Sequence, residues 1–142
     1  MLCGTVLGAQ RGALAVLLFI TLTALGLPLL SGGRGGLGVF ASPSVGFIVG
    51  FPLAAFVAGW ITSKLRLINV FYSSLLGALV GGILILYIPG IVGMSIMLDK
   101  SISEAALIAL IYLPGDCIKA FLCAMLTHTL FKLRPENVLS RI

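Results

Sequence analysis

The stretch Leu113-Pro114-Gly115-Asp116-Cys117-Ile118-Lys119 opens an apolar run that continues to Phe131, and it sets an acid and a base inside chain that otherwise reads as bilayer-buried. An ionisable side chain costs about 2.5 to 3.5 kcal/mol at the centre of a spanning helix, so this pair asks for a partner, a cavity or a ligand. Asp116 and Lys119 stand three residues apart and share a helix face. Tyr112 and Cys123 extend that face by four residues each way, giving a stripe of Tyr, Asp, Lys and Cys. Proline suits the first position of a helix and an acid its first turn, so the spacing predicts a fresh helix starting at Pro114.

Composition supports the membrane reading. Of 142 residues, 60% are hydrophobic and 9% charged, and the mean hydropathy is +1.23. A spanning helix needs about 20 apolar residues, and four windows qualify: Gly12 to Leu30, Gly46 to Ser63, Val70 to Ile88 and Pro114 to Phe131. The chain is therefore read as an all-α integral membrane protein, a small bundle of transmembrane helices forming one domain. Long apolar runs without alternation argue against a barrel. Residues 1–10 are apolar but reach only about 15 Å as a helix. They are expected to be an interfacial stub or the tail of a helix that begins before this chain, with a signal peptide as the weaker alternative.

Small residues recur where helices would touch. Gly46, Gly50, Ala54 and Ala58 form a ladder at spacing four, with Ala55 and Gly59 beside it, and Gly77 and Gly81 make a second seam. Such ladders let backbones approach closely within lipid; the alternative is a homo-oligomer or partner-subunit seam. Pro89-Gly90 is expected to end the third helix, leaving residues 89–113 as an outer excursion with a short helix from about Ser103, where Ser101-x-x-Glu104 resembles a capping box.

The net charge of +5 follows topology rather than nucleic-acid binding, since no basic face carries interleaved aromatics. Four crossings with Arg11 inside put Arg11, Lys64, Arg66, Lys132, Arg134 and Arg141 in the cytoplasm and Arg34 and Lys100 outside. The positive-inside rule then makes the C-terminus cytoplasmic. Residues 31–45 form a glycine-rich outer loop, with Gly32, Gly33, Gly35, Gly36 and Gly38 around Arg34. It reads equally as a flexible linker or as bare backbone approaching a ligand, with Arg34 available to an anion. Cys3, Cys117 and Cys123 form no CxxC pair, so neither disulfides nor a metal site are indicated. His128 reads as a packing or interfacial residue. No nucleophile and base pair is present, so no enzyme is expected and no cofactor.

Several blocks together resemble a known family. Gly26-Leu27-Pro28, then Gly32-Gly33-x-Gly35-Gly36-Leu37-Gly38, then Pro43-x-x-Gly46-Phe47-x-x-Gly50-Phe51, then Leu113-Pro114-Gly115-Asp116-x-x-Lys119-Ala120 are similar to BioY, the biotin-binding S component of energy-coupling-factor (ECF) transporters. The resemblance covers nearly the whole chain. It implies a six-helix fold in a bacterial cytoplasmic membrane, biotin as transported ligand, and as partners a transmembrane coupling subunit and ATPase subunits. It also implies that the family's N-terminal helix region is missing here. In the family, the acid and lysine of the last-helix motif contact biotin; they fall on Asp116 and Lys119. Tyr112, Arg34, Gly33 and Gly36 complete the candidate ligand-binding set. Ser42-Pro43-Ser44-Val45-Gly46 departs from the family's Gly-Pro-Thr-Gly-Gly block. The alternative function is a non-binding structural or degenerate subunit of a larger membrane complex.

Overall fold

In the computed structural model, which describes residues 1–141, helix α3 (Val45–Lys64) is the post around which the bundle is built. Its small residues explain why. One edge meets the helical rod formed by α4 (Val70–Leu79), a π-turn (Val80–Ile85) and α5 (Leu86–Leu98). A Cβ on Gly77 would lie 2.5 Å from the Ala58 carbonyl oxygen, and one on Gly81 would lie 2.5 Å from that of Ala54. Farther along, a Cβ on Gly46 would strike the Pro89 carbonyl, and one on Gly93 would lie 2.6 Å from the Gly46 Cα. The opposite edge meets the N-terminal hairpin of α1 (Leu2–Leu7) and α2 (Ala9–Ala24), where a Cβ on Gly59 would approach the Gly8 carbonyl carbon to 2.5 Å. The ladder seen in the sequence is thus spent on contacts within the chain, and backbone proximity of this kind carries helix association in lipid.

Two helices are long and apolar enough to cross a membrane: Val45–Lys64 and the continuous rod Val70–Leu98, of 29 residues. The second corrects the expectation of a break at Pro89. Proline removes one backbone donor and crowds the carbonyl four residues earlier, here that of Ile85. The helix widens into the π-turn just before this point, and such local adjustments let proline remain inside a membrane helix. The rod ends instead at Asp99, whose φ of 52° is left-handed. The excursion therefore shrinks to residues 99–112. Within it lies α6 (Ile102–Leu110), and the capping box is present: the Ser101 N–H donates to Glu104 Oε2 at 3.0 Å, while the Glu104 N–H donates to Ser101 Oγ at 3.3 Å.

Helix α7 (Leu113–Leu133) follows α6 across a bend of 55°, with Pro114 in its first turn, and the two together have the length and apolarity of one broken span or of a re-entrant segment. The first expected span is shorter than its window. Helix α2 has 16 residues and ends at Ala24, because Gly26 takes φ 107° and the residue before Pro28 is disfavoured in helical geometry. The bundle has two unlike ends. One carries the glycine loop and the α6–α7 corner; the other carries the α3–α4 turn and the end of α7, where Arg141 donates to the carbonyls of Leu65 and Ile68, both at 3.1 Å.

Candidate functional site

Asp116 sits one turn into α7 and is buried, although its neighbours Gly115 and Cys117 are exposed. Its carboxylate is held on both oxygens. Lys119 Nζ donates to Oδ1 at 2.8 Å, and the Tyr87 hydroxyl donates to Oδ2 at 2.9 Å. A buried carboxylate needs such partners, because an unpaired one would take the full cost of desolvation. Tyr87 arrives from α5 and is fixed by its own ring contacts. Phe47 of α3 packs edge-on against it at 5.8 Å, and the same Phe47 ring meets Tyr112 at 6.3 Å. Gly90 is required here, since a Cβ on it would lie 2.5 Å from the Phe47 ring. Rings from α3 and α5, with Tyr112 from the turn before α7, thus close one side of the carboxylate.

The other side opens on a cavity of about 570 Å³ that Asp116 and Lys119 both line. Leu122, Cys123 and Leu126 continue its wall down α7, Phe51 and Ala54 come from α3, and Gly82 and Leu86 from the π-turn and α5. Helix α1 contributes Met1, Leu2 and Cys3, and α2 contributes Ala15, Val16 and Phe19. The cavity is apolar apart from the ion pair and two thiols. Lys119 is 70% exposed at its side chain whereas Asp116 is only 11% exposed, so the ammonium can turn toward an incoming group while the carboxylate stays fixed. Lys119 has three donors and places one on Asp116, leaving two.

Beneath the cavity a buried hydroxyl cluster ties α1 to α7. Thr5 Oγ1 lies 2.9 Å from Thr127 Oγ1 and 3.3 Å from Cys123 Sγ, and Thr127 donates to the Cys123 carbonyl at 2.8 Å. The Ser140 hydroxyl reaches the Thr5 carbonyl. These bonds hold the α1 wall in place.

Of the residues singled out in the sequence, Asp116, Lys119 and Cys123 come together on one wall, as the helical spacing required. Tyr112 does not join them. It precedes α7 and is exposed, touching Phe47 rather than the cavity. Arg34, Gly33 and Gly36 stand in the glycine loop outside the cavity lining. Arg34 is exposed and donates from Nε to the Ser31 carbonyl at 3.2 Å; Gly33 and Gly36 take φ of 68° and 81°. The cavity is walled by α1, α2, α3, the rod and α7, and neither the glycine loop nor residues 99–112 line it. The tyrosine that sequence reasoning missed is Tyr87. A phenol in mid-helix, one turn from Ile83 and Ile91, needs a buried partner, and that need was the available signal. Among the described residues no group of His, Cys, Asp or Glu could hold a metal ion.

Comparison with known proteins fits this architecture. The "Biotin transporter BioY" of Rhodobacter capsulatus is 43% identical, with 99% of this chain and 79% of that protein covered. That of Rhizobium etli is 45% identical, covering 89% of this chain and 70% of the relative. The crystal structure of the S-component for biotin from an ECF-type ABC transporter superposes with a TM-score of 0.85 at 29% identity, covering 92% of this chain and 70% of that one. The model of the BioY family matches residues 1–136, and the chain belongs to that family.

Proposed function

We propose that this chain binds biotin in the cavity beside Asp116 and Lys119, as the substrate-specific component of an ECF-type transporter. The observation that carries the reading is an apolar cavity whose one charged corner is a buried, doubly held carboxylate next to a lysine with two spare donors. Biotin matches that corner chemically. Its ureido N–H groups suit the acceptor Asp116, its carboxylate suits Lys119, and its bicyclic ring and aliphatic tail suit the Leu, Phe and Ala walls. Tyr87 holds Asp116 in the orientation that accepts. The glycine loop, with Gly33, Gly36 and Arg34, covers the site only if it moves over it, and Tyr112 contributes by buttressing Phe47.

The reading includes a coupling subunit and ATPases as partners, and it assigns the protein no catalytic step and no cofactor. It also puts the C-terminus and the basic end of the bundle in the cytoplasm and the glycine loop outside, on the strength of six cations against two. Equilibrium binding of labelled biotin to the purified chain tests the proposal. Saturable binding, competed by unlabelled biotin, is expected; a chain that folds in detergent yet retains no label would identify it as a non-binding relative.

A further inference from the structure

At the end of the bundle away from the glycine loop, a cleft of about 480 Å³ lies between the α1–α2 turn and the last turns of α3. Gln10, Arg11, Trp60 and Ser63 line it, and no Asp or Glu is among its described lining residues. Lys64 follows Ser63 at its edge, with Nζ 6.0 Å from the centre of the Trp60 ring. Both cations are exposed. Among the described residues the Arg11 guanidinium meets no acid and no hydrogen-bond acceptor, and the Lys64 ammonium meets the Trp60 ring alone. Two uncommitted cations thus flank an indole at a concave place.

The surface leading away from this mouth is apolar on both of the helices that form it. On α3, Phe56, Leu53 and Val49 continue the face of Trp60 toward the middle of the bundle, and all three are exposed. On α2, Leu14 and Leu18 continue the face of Arg11 in the same direction and are also exposed, since residues three and four apart share a helix face. Exposed apolar side chains are ordinary on a bundle in lipid. What distinguishes this place is that two such strips start from a pair of cations and a tryptophan, the residue that settles at the boundary between headgroups and hydrocarbon. An anionic head joined to an apolar tail satisfies both parts at once. We infer that this cleft binds the phosphate of an anionic membrane phospholipid. Arg11 and Lys64 supply the charge, the planar guanidinium fork being matched to phosphate oxygens, and Gln10 and Ser63 supply uncharged donors. An acyl chain then lies along Phe56 and Leu14. Free phosphate would find the same donors but would gain nothing from the strips.

The test uses the full chain in mixed micelles of phosphatidylcholine with either phosphatidylglycerol or inorganic phosphate, reading lipid retained after gel filtration and the melting temperature. Wild type should retain phosphatidylglycerol over phosphatidylcholine and melt higher with it, and inorganic phosphate should not raise the melting temperature. Arg11→Gln and Lys64→Gln should each reduce retention about fivefold, on the order of one Lys or Arg contribution near an anionic surface. Arg11→Lys should keep most of it. Because both side chains are exposed, the two Gln variants should melt as wild type does when phosphatidylglycerol is absent. Lys132→Gln neutralises a cation at the same end of the bundle but in a different cleft, and it should leave retention unchanged. Equal retention of the two lipids by wild type, equal protection by inorganic phosphate, or a loss from Lys132→Gln as large as that from Arg11→Gln would each overturn the assignment.

Discussion

Helices α3 and α7 are of nearly equal length, 20 and 21 residues, yet they use their interior faces in opposite ways. Helix α3 buries Gly46, Gly50, Ala54, Ala55, Ala58 and Gly59, and its only charge is Lys64 in the last turn. Helix α7 buries Asp116, Cys123 and Thr127, each of which needs a specific partner. Close packing of small residues fixes distances between backbones, whereas buried polar groups fix directions. The comparison teaches that the scaffold and the site are divided between helices: α3 sets how near its neighbours stand, and α7 sets what the cavity between them recognises.

The largest expected effect breaks the α3 half of that division. At Gly46 an added Cβ meets the Pro89 backbone, while at Gly50 it meets side chains alone, the Pro89 ring at 2.7 Å and the flexible end of Leu86 at 3.0 Å. Gly46→Ala should therefore destabilise by about 3 kcal/mol, the upper end for overpacking, and Gly50→Ala by about 1 kcal/mol. Thermal unfolding in detergent reads both, and similar melting of the two variants would mean that α3 is not the post described.

A second, smaller effect sharpens the α7 half. Asp116→Asn replaces one acceptor oxygen with a donor, and Lys119→Ala removes the mobile ammonium; each should weaken biotin about tenfold to a hundredfold, the range of one charge-assisted hydrogen bond. Lys119→Ala should weaken the carboxamide of biotin much less than biotin itself. Tyr87→Phe leaves both charges and should cost about fivefold to tenfold, by loosening the carboxylate it orients. Titrations that rank Tyr87→Phe as the worst of the three would transfer the main ligand contact from α7 to α5.

The smallest effect lies outside both helices, at the entry to α6. Glu104 is held below the ordinary carboxylate range by hydrogen bonds from the Ser101 backbone N–H and hydroxyl, and by Lys100 nearby. A depressed carboxylate stabilises fully above its unfolded pKa and loses that contribution as the pH falls through its folded value. Acid titration of helicity should thus show a slight loss below the ordinary carboxylate range, absent in Glu104→Gln. A Glu104→Gln chain with the same acid profile as wild type would make the capping box energetically silent.

Much of this division was legible in residue spacing. The ladder on α3, the second seam at Gly77 and Gly81, the capping box and the pairing of Asp116 with Lys119 all follow from helical periodicity, a local property of the chain. What spacing could not supply was anything set by a third helix. Tyr112 has the right period to join the stripe on α7, but the chain bends by 55° next to it and the ring is turned to Phe47. Tyr87, 29 residues from Asp116 in sequence, fills the role instead. The boundary at Pro89 was misread for a related reason: proline breaks a helix in water, but the neighbours around this rod and a widened turn absorb it. The direct partners of Asp116 are therefore a matter of tertiary packing, while the position of Asp116 itself is a matter of sequence.

The widened turn at Val80–Ile85 has one more consequence, and it concerns phase. A π-turn accommodates about one residue more than an α-turn, so the two halves of the rod are out of step with each other by close to one residue's rotation, about 100°. Gly77 meets the α3 ladder before the widened turn, and Tyr87 meets Asp116 after it. Shortening the turn by a single residue would restore an unbroken α-helix and swing the tyrosine off the carboxylate. The recognition corner is in that sense written in the length of the rod as much as in its side chains.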